Sequence, residues 1–266
     1  MDKRKTPPVN YEQLATVYDR RYAASPLSGV GRALETVVKT MGARSVLEAG
    51  CGTGHWLDLL QPVVPNVYGL DLSPGMLAQA RMRGKDLRLA LGRATELPFR
   101  DQAFDLIFCV NAIHHFGDER KFIFEARQLL TPKGALAVIG LDPHGRKDSW
   151  YVYQYFEETY QTDIGRFPTR SNLESWMEEA GFERLEWRIA EQIEHSWYGR
   201  DVFSDPFLKK ESTSQLTLLS DEAYAAGMER IEAAIATAEA EGRSLEFPAG
   251  LLLLMITGYV EGKKNG

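Results

Sequence analysis

The chain has 266 residues, of which 44% are hydrophobic and 26% are charged, a composition typical of one large globular domain or of one domain with an inserted subdomain. The net charge of -6 argues against a nucleic acid partner, since phosphate binding usually requires a basic surface. Cys51 and Cys109 fall in a glycine-rich turn and a predicted strand, and no apolar region follows the basic start, so we expect a cytoplasmic protein without disulfides. The longest apolar run, residues 251–256, is too short to span a bilayer, and no membrane partner is expected.

The N-terminal segment has Tyr11, Leu14 and Tyr18 at helical spacing, which predicts an amphipathic helix. These residues alone indicate only that such a helix would cover the core. A second helix is predicted over residues 28–41, because Gly42 is placed to end it.

A glycine-rich turn follows the first predicted strand. Gly50, Gly52 and Gly54 alternate with other residues directly after an apolar run, and a helical pattern begins behind them. Such a turn exposes backbone N–H groups to a ligand that approaches closely, so it predicts a nucleotide-like cofactor. A dinucleotide fingerprint would require a glycine at position 55, which is His55 here. This spacing disfavours a nicotinamide oxidoreductase.

The turn instead reads Glu48-x-Gly50-x-Gly52-x-Gly54, with Cys51 between the first two glycines. This pattern resembles motif I of the class I S-adenosylmethionine-dependent methyltransferases. The resemblance implies that the turn binds S-adenosylmethionine and that Glu48 holds the cationic amino-acid end of this cofactor, directly or through water. A tight glycine turn in an ordinary α/β protein is the alternative.

The second predicted strand, residues 66–71, ends in an acid about 20 residues beyond the first glycine of the turn. An acid at this position of a nucleotide-binding α/β fold accepts hydrogen bonds from ribose hydroxyls, which is the role predicted for Asp71. The alternative is a helix cap or a turn acid. Ser73 is the expected N-cap of the next helix. Leu72 and Met76 are expected against the adenine, although Met76 also suits the core.

Residues 92–99, after the third predicted strand, resemble the G-D-A-x-x-L-P-F signature of ubiquinone/menaquinone-biosynthesis-type methyltransferases. The aspartate of that signature accepts a hydrogen bond from the adenine amino group. Arg93 replaces it here, and arginine has no acceptor. The resemblance therefore implies that the backbone of Ala94 and Thr95 recognises the adenine, with Arg93 stacking on the ring.

The fourth strand is predicted over residues 103–110, a nearly continuous apolar run typical of the centre of a parallel sheet. The segment after it is similar to the N-x-x-H-H-F segment of the same family. Because open α/β sheets bind ligands at the carboxyl ends of their strands, Asn111 is expected to line the cofactor cleft. His114 or His115 is expected to face the methyl group or the substrate, or else to bond a backbone carbonyl. Either histidine is the candidate general base for a hydroxyl or carbon acceptor.

The resemblance covers residues 10–142 and implies a Rossmann-like α/β fold. We expect a seven-stranded, mostly parallel sheet flanked by helices, with the last strand antiparallel. Related enzymes begin with a Tyr-rich helix over the methionine end of the cofactor. Residues 1–42 are therefore expected to form a helical lid that places Tyr11 or Tyr18 at that end.

A helical insertion, residues 197–246, is predicted between strands six and seven, which leaves residues 43–196 and 247–266 for the methyltransferase domain. The insertion either extends the core or roofs the substrate pocket together with the aromatic-rich residues 150–156. The second interpretation favours an apolar or aromatic small molecule as substrate. A capping box at residues 171–174 predicts the start of a helix there.

Together these features predict an S-adenosylmethionine-dependent methyltransferase that acts on a small-molecule acceptor and releases S-adenosylhomocysteine. O-, N- and C-methylation all stay open, as does the oligomeric state. Two alternatives share the same features: a non-catalytic protein that binds the cofactor on this fold, and a tRNA-base methyltransferase, which the acidic composition disfavours. The sequence contains no ligand spacing for zinc, and no metal site is expected.

Overall fold

A mixed β-sheet flanked by helices forms the centre of the protein. The computed structural model describes residues 12, 15, 18, 19, 22, 25–83, 86–146 and 148–261. Tyr11, one of the two predicted lid tyrosines, lies outside the described residues. Within them the strands are β1 (Ser45–Ala49), β2 (Asn66–Asp71), β3 (Arg88–Leu91), β4 (Phe104–Val110), β5 (Leu130–Leu141), β6 (Ser149–Trp150), β7 (Arg184–Ile193), β8 (Ser196–Tyr198) and β9 (Glu246–Tyr259).

The first five strands are parallel and lie in the order β3-β2-β1-β4-β5. β1 and β4 are apolar and buried over most of their length, as expected for strands covered on both faces by helices. This order places the carboxyl ends of β1, β2 and β4 next to each other at one edge of the sheet. The predicted α/β fold with a mostly parallel sheet is confirmed.

The last strand, β9, runs antiparallel to both β5 and β7, as predicted. It also pairs with β6 and β8. The described part of the sheet therefore has nine strands, and the predicted number of seven is wrong. The reason is that β6 and β8 are only two and three residues long and become strands by pairing with β9.

Helices pack on both faces of the sheet, each face over its own apolar cluster. Gly42 ends the helix Ser28–Met41 with a left-handed φ of 62°, as predicted. The predicted capping box is displaced, because the side chain of Thr169 accepts a hydrogen bond of 3.1 Å from the amide of Asn172. The helices of the described chain are α1 (Ser28–Met41), α2 (His55–Leu60), α3 (Pro74–Arg83), α4 (Glu119–Leu129), α5 (Tyr151–Tyr155), α6 (Glu157–Arg166), α7 (Arg170–Glu179), α8 (Ser214–Thr217) and α9 (Asp221–Ala240).

The segment between β8 and β9 contains two short 3-10 helices, Gly199–Ser204 and Pro206–Leu208, followed by α8 and α9. One side of it packs on the aromatic residues of α5 in a third apolar cluster, where Tyr151 and Phe156 are each 1% exposed. Most aromatic rings of residues 150–156 therefore pack in this cluster. Trp150 belongs to the cluster and also lines a cavity. In the described part of the chain, no helix combines the length and the apolar character needed to cross a membrane.

Candidate functional site

The glycine turn after β1 is fixed to the end of β2 by backbone hydrogen bonds. The amides of Gly50 and Cys51 donate to the carbonyl of Leu70 at 2.8 and 3.0 Å. Gly50, Gly52 and Gly54 have φ angles of 71°, 52° and 77°, a left-handed conformation that favours glycine. The Cys51 side chain is buried, and burial raises the pKa of its thiol, which disfavours the reactive thiolate.

Asp71, at the end of β2, holds the glycine turn from the other side. Its Oδ2 accepts a hydrogen bond of 2.8 Å from the Gly52 amide, and its Oδ1 accepts one of 2.9 Å from the Ser73 amide. Burial raises the pKa of Asp71, while these two amides act in the opposite direction. A carboxylate oxygen can accept more than one hydrogen bond, so both Asp71 oxygens retain capacity for hydroxyl donors of a ligand.

Glu48 lies within β1 and is only 1% exposed. Its Oε2 has no hydrogen-bond partner among the described residues. Burial, followed by the nearby Asp71 carboxylate, raises the pKa of Glu48 well above its usual range. A buried carboxyl oxygen without a donor is costly, and a cationic ligand group, directly or through water, would remove that cost. Glu48 therefore fits the ammonium end of the predicted cofactor.

Described residues near the N-terminus lie over the glycine turn. The Tyr18 ring comes within 3.8 Å of the position that a Cβ atom at Gly52 would take. Asp19 accepts a hydrogen bond of 2.5 Å from Thr53 Oγ1 and pairs with Arg83. Tyr18 and Asp19 therefore cover one side of the glycine turn.

The residues predicted around the adenine separate into exposed and buried groups. Leu72 is 60% exposed, and Arg93 is exposed in the turn after β3. Met76 is 1% exposed on α3, whereas Ala94 and Thr95 are 7% and 8% exposed. The exposed leucine and arginine are available to a ligand at the surface, and the burial of Met76 gives it a packing role in the core.

A cavity of about 470 Å³, here called the central cavity, opens at the ends of β4 and β5. Four residues predicted from the sequence line it: Tyr18, Asn111, His114 and His115. It adjoins the glycine turn, because a Cβ atom at Gly50 would lie 2.8 Å from Ala112 Cβ, in the same segment as Asn111 and His114. The structure therefore brings the motifs of β1 and β4 to one place.

The segment after β4 positions its polar side chains with a strained backbone. Asn111 has a φ of 49°, a left-handed conformation uncommon for residues other than glycine. Directly after it, Ile113–His115 forms a 3-10 helix. The ring of His114 stacks on Phe167, with a centroid distance of 3.9 Å, and lies 3.9 Å from the ring of His115. The histidine pair is held by aromatic packing at the cavity wall.

The rest of the cavity wall includes residues from the segments 150–156 and 197–246, which are expected from the sequence only as whole segments, and one residue that is not expected. Trp150, Trp197, Asp205 and Gln215 belong to those segments, and His195 is the unexpected residue. His195 connects β7 to β8, and its ring meets Trp197 edge to face at 4.6 Å. These residues carry no local motif. Trp150, His195 and Trp197 come together because β6, β7 and β8 all pair with β9. The sequence contains five histidines, and nothing in the residues around His195 distinguishes it from His144.

Comparisons with known proteins show similarity to methyltransferases. A family model described as a methyltransferase domain matches residues 47–138. The chain is similar to a demethylmenaquinone methyltransferase of Thermotoga maritima, at 29% identity over 173 residues, which are 57% of this chain and 75% of the relative. It is also similar to a phthiotriol/phenolphthiotriol dimycocerosates methyltransferase of Mycobacterium leprae, at 34% identity over 121 residues, which are 44% of each chain.

A solved S-adenosylmethionine-dependent methyltransferase from Archaeoglobus fulgidus has a similar fold, with a TM-score of 0.56 at 17% identity. The likeness covers 92% of this chain and 98% of that one. It extends the similarity in fold beyond the family match, which ends at residue 138.

Proposed function

Because the chain belongs to the class I S-adenosylmethionine-dependent methyltransferases, in the ubiquinone/menaquinone-like family, we propose that it methylates an apolar or aromatic small molecule bound in the central cavity. S-adenosylmethionine is the methyl donor and S-adenosylhomocysteine the product. The observation that carries the proposal is the contact between the glycine turn and the segment after β4, since that segment also forms a wall of the cavity.

The proposed cofactor site is the edge of the sheet where β1, β2 and β4 end. Glu48 faces the ammonium group of the cofactor, and its unpartnered Oε2 supports this role. The amides of the Gly50–Gly54 turn and the carboxylate of Asp71 hold the amino-acid and ribose parts. Backbone groups at Ala94 and Thr95 lie on the adenine side. The bound cofactor supplies a methyl group on a sulfonium sulfur, ready for in-line displacement.

The proposed acceptor site is the central cavity itself, with residues 1–42 as a lid and residues 197–246 as a substrate cap. Tyr18 supports the first assignment, because it lies beside Gly52 of the glycine turn and lines the cavity. Asp205 and Gln215 support the second, because both come from the proposed cap. Walls on both sides exclude water and align the acceptor, which supplies much of the rate in a displacement reaction.

The proton of a hydroxyl or carbon acceptor requires a base within the cavity. His114 and His115 are the proposed bases, because both line the cavity next to the segment that contacts the glycine turn. Asn111 orients this segment through its left-handed backbone. The net charge of -6 supports a small-molecule acceptor over a nucleic acid.

Calorimetric titration with S-adenosylmethionine and S-adenosylhomocysteine tests the cofactor site. We expect Asp71→Asn to weaken binding by about tenfold or more, since a hydrogen bond to a charged group contributes about 1.5–3 kcal/mol. Asp101→Asn, at an exposed turn, is the matched control and should bind like the parent. Absence of binding by the parent, or unchanged binding by Asp71→Asn, would contradict the proposal.

Incubation of the protein with a metabolite extract and methyl-labelled S-adenosylmethionine tests the reaction. Mass spectrometry should reveal a labelled small molecule together with S-adenosylhomocysteine. Cofactor binding without any labelled product would point to the non-catalytic alternative.

A further inference from the structure

Among the described residues, two charged side chains line the central cavity, and both are acidic. They are Asp205, which is 4% exposed, and Glu211, which is exposed at the rim. No lysine or arginine of the described chain lies in this wall. The cavity therefore carries a negative charge on the side formed by the proposed substrate cap.

The carboxylate of Asp205 is held in a fixed orientation. The Tyr151 hydroxyl donates to Asp205 Oδ2 at 2.7 Å, and the Phe207 amide donates to Oδ1 at 2.8 Å. Burial and the Asp205 carboxylate raise the pKa of Tyr151, so its hydroxyl stays protonated and continues to donate. Two donors leave further lone pairs of the carboxylate available, and Asp205 can accept hydrogen bonds from a ligand without moving.

The buried cation behind this wall does not neutralise it. Arg166 lies outside the set of cavity-lining residues, and its Nη2 pairs with Asp163 Oδ1 at 2.5 Å. The same nitrogen contacts Ser214 Oγ at 3.2 Å. The charge of Arg166 is therefore offset by Asp163 and does not compensate Asp205.

Aromatic rings form much of the remaining wall. Trp150 and Trp197 lie on the side of β9, and Phe167 and Phe207 lie on the sides of α6 and the proposed cap. A cation over an aromatic face is stabilised, most strongly when it is removed from water. Aromatic rings next to a buried carboxylate suit a cationic group on an apolar frame, and they disfavour a carboxylate or phosphate.

From this combination we infer that the methyl acceptor is an amine on an apolar or aromatic frame, bound as its ammonium with Asp205 as counter-ion. The inference rests on the proposed function, because it assigns an acceptor class to that same site. The ammonium first gives a proton to a cavity imidazole. His195 lines the cavity and is exposed, so it can release that proton to water.

The amine nitrogen then uses its lone pair to form the bond to the methyl carbon, while the carbon–sulfur bond breaks and its electron pair stays on sulfur. The products are an N-methylammonium ion and neutral S-adenosylhomocysteine. The positive charge thus moves from sulfur to nitrogen, toward the Asp205 carboxylate. A negative wall favours this direction of charge transfer.

Three probes with one frame test the inference: tryptamine, tryptophol and indole-3-propionate, which end in a cation, a neutral hydroxyl and an anion. Each is titrated by calorimetry into the full chain saturated with S-adenosylhomocysteine. We expect tryptamine to bind about tenfold tighter than either of the others, the effect of one charge-assisted hydrogen bond. This comparison of the three probes uses the parent protein alone.

The Asp205→Asn variant should lose the preference for tryptamine and keep its affinity for tryptophol. Asp201→Asn, an exposed acid on the neighbouring 3-10 helix, is the matched control and should retain the preference. Equal binding of the three probes, or binding of none while S-adenosylhomocysteine binds, overturns the amine inference and leaves the methyltransferase assignment intact. Failure of the parent to bind S-adenosylhomocysteine contradicts the proposed cofactor site instead.

Discussion

At the end of β1, Gly50 combines a left-handed backbone with a close approach to Ala112 in the segment after β4. Its φ is 71°, and a Cβ atom there would lie 2.8 Å from Ala112 Cβ. Both features exclude a side chain, one by local strain and the other by collision. The residue thus keeps the cofactor turn and the segment after β4 in contact.

We predict that Gly50→Ala weakens S-adenosylhomocysteine binding by about tenfold or more, because the turn must move to relieve the collision. Its free energy of unfolding should fall by about 1–3 kcal/mol. Gly42→Ala is the control, since Gly42 has a φ of 62° with no atom within 4 Å of its added Cβ. The Gly42→Ala variant should lose stability but keep the parent's affinity for S-adenosylhomocysteine. Calorimetry and urea denaturation separate the two effects, and equal cofactor affinity in both variants would disprove the role of Gly50.

At the scale of elements, α6 anchors the proposed substrate cap through one buried carboxylate. Asp163, which is fully buried, accepts hydrogen bonds of 2.7 Å from both Tyr153 and Gln215, and it pairs with Arg166. Gln215 belongs to α8 and also lines the central cavity. The position of this cavity wall therefore depends on a charge pair outside the cavity.

Removal of that charge should be strongly destabilising. Asp163→Asn leaves Arg166 as a buried cation without a counter-ion, and we expect a loss of about 3–5 kcal/mol in the free energy of unfolding. Glu35→Gln breaks an exposed pair with Lys39 and should cost less than about 1 kcal/mol. Urea denaturation of both variants measures the difference. Similar midpoints for the two would show that α6 does not anchor the cap.

For the whole molecule, the pH dependence of stability has an identifiable contribution from Asp148. Burial raises its pKa to about 6, its Oδ1 accepts a hydrogen bond of 2.9 Å from the Leu252 amide, and its Oδ2 has no partner among the described residues. The folded state binds this proton more tightly than the unfolded state does. The stabilisation is thus complete below pH about 4 and is lost as the pH rises through about 6.

Asp148→Asn cannot ionise, so we predict that it is more stable than the parent at pH 7.5. The expected gain is about 1 kcal/mol after allowance for solvent screening at this half-buried site, or about 2–4 °C in Tm. At pH 4 the gain should vanish. Asp101→Asn, at an exposed position, should match the parent at both values. A constant difference between Asp148→Asn and the parent across this range would refute the assignment.

The sequence predicted the strands and the glycine turn of the parallel half of the sheet better than the walls of the central cavity, and the reason is physical. The apolar runs of β1 and β4, the glycines between 50 and 54 and the acid of Asp71 are local patterns, each read from a few neighbouring residues. His195 and Asp205 line one cavity only through the pairing of β7 and β8 with β9 and the hydrogen bond from Tyr151 of α5 to Asp205. For the same reason, the division of residues 150–156 between core and cavity could not be predicted.

The position of β9 in the sheet has a consequence for biosynthesis. This strand lies between β5 and β7 and is synthesised after both of them, since it spans Glu246–Tyr259. Until the ribosome has released it, β5 and β7 each present an open edge with unpaired amides, and such edges are templates for aggregation. The sheet therefore stays unfinished, with two open edges, until β9 has been synthesised.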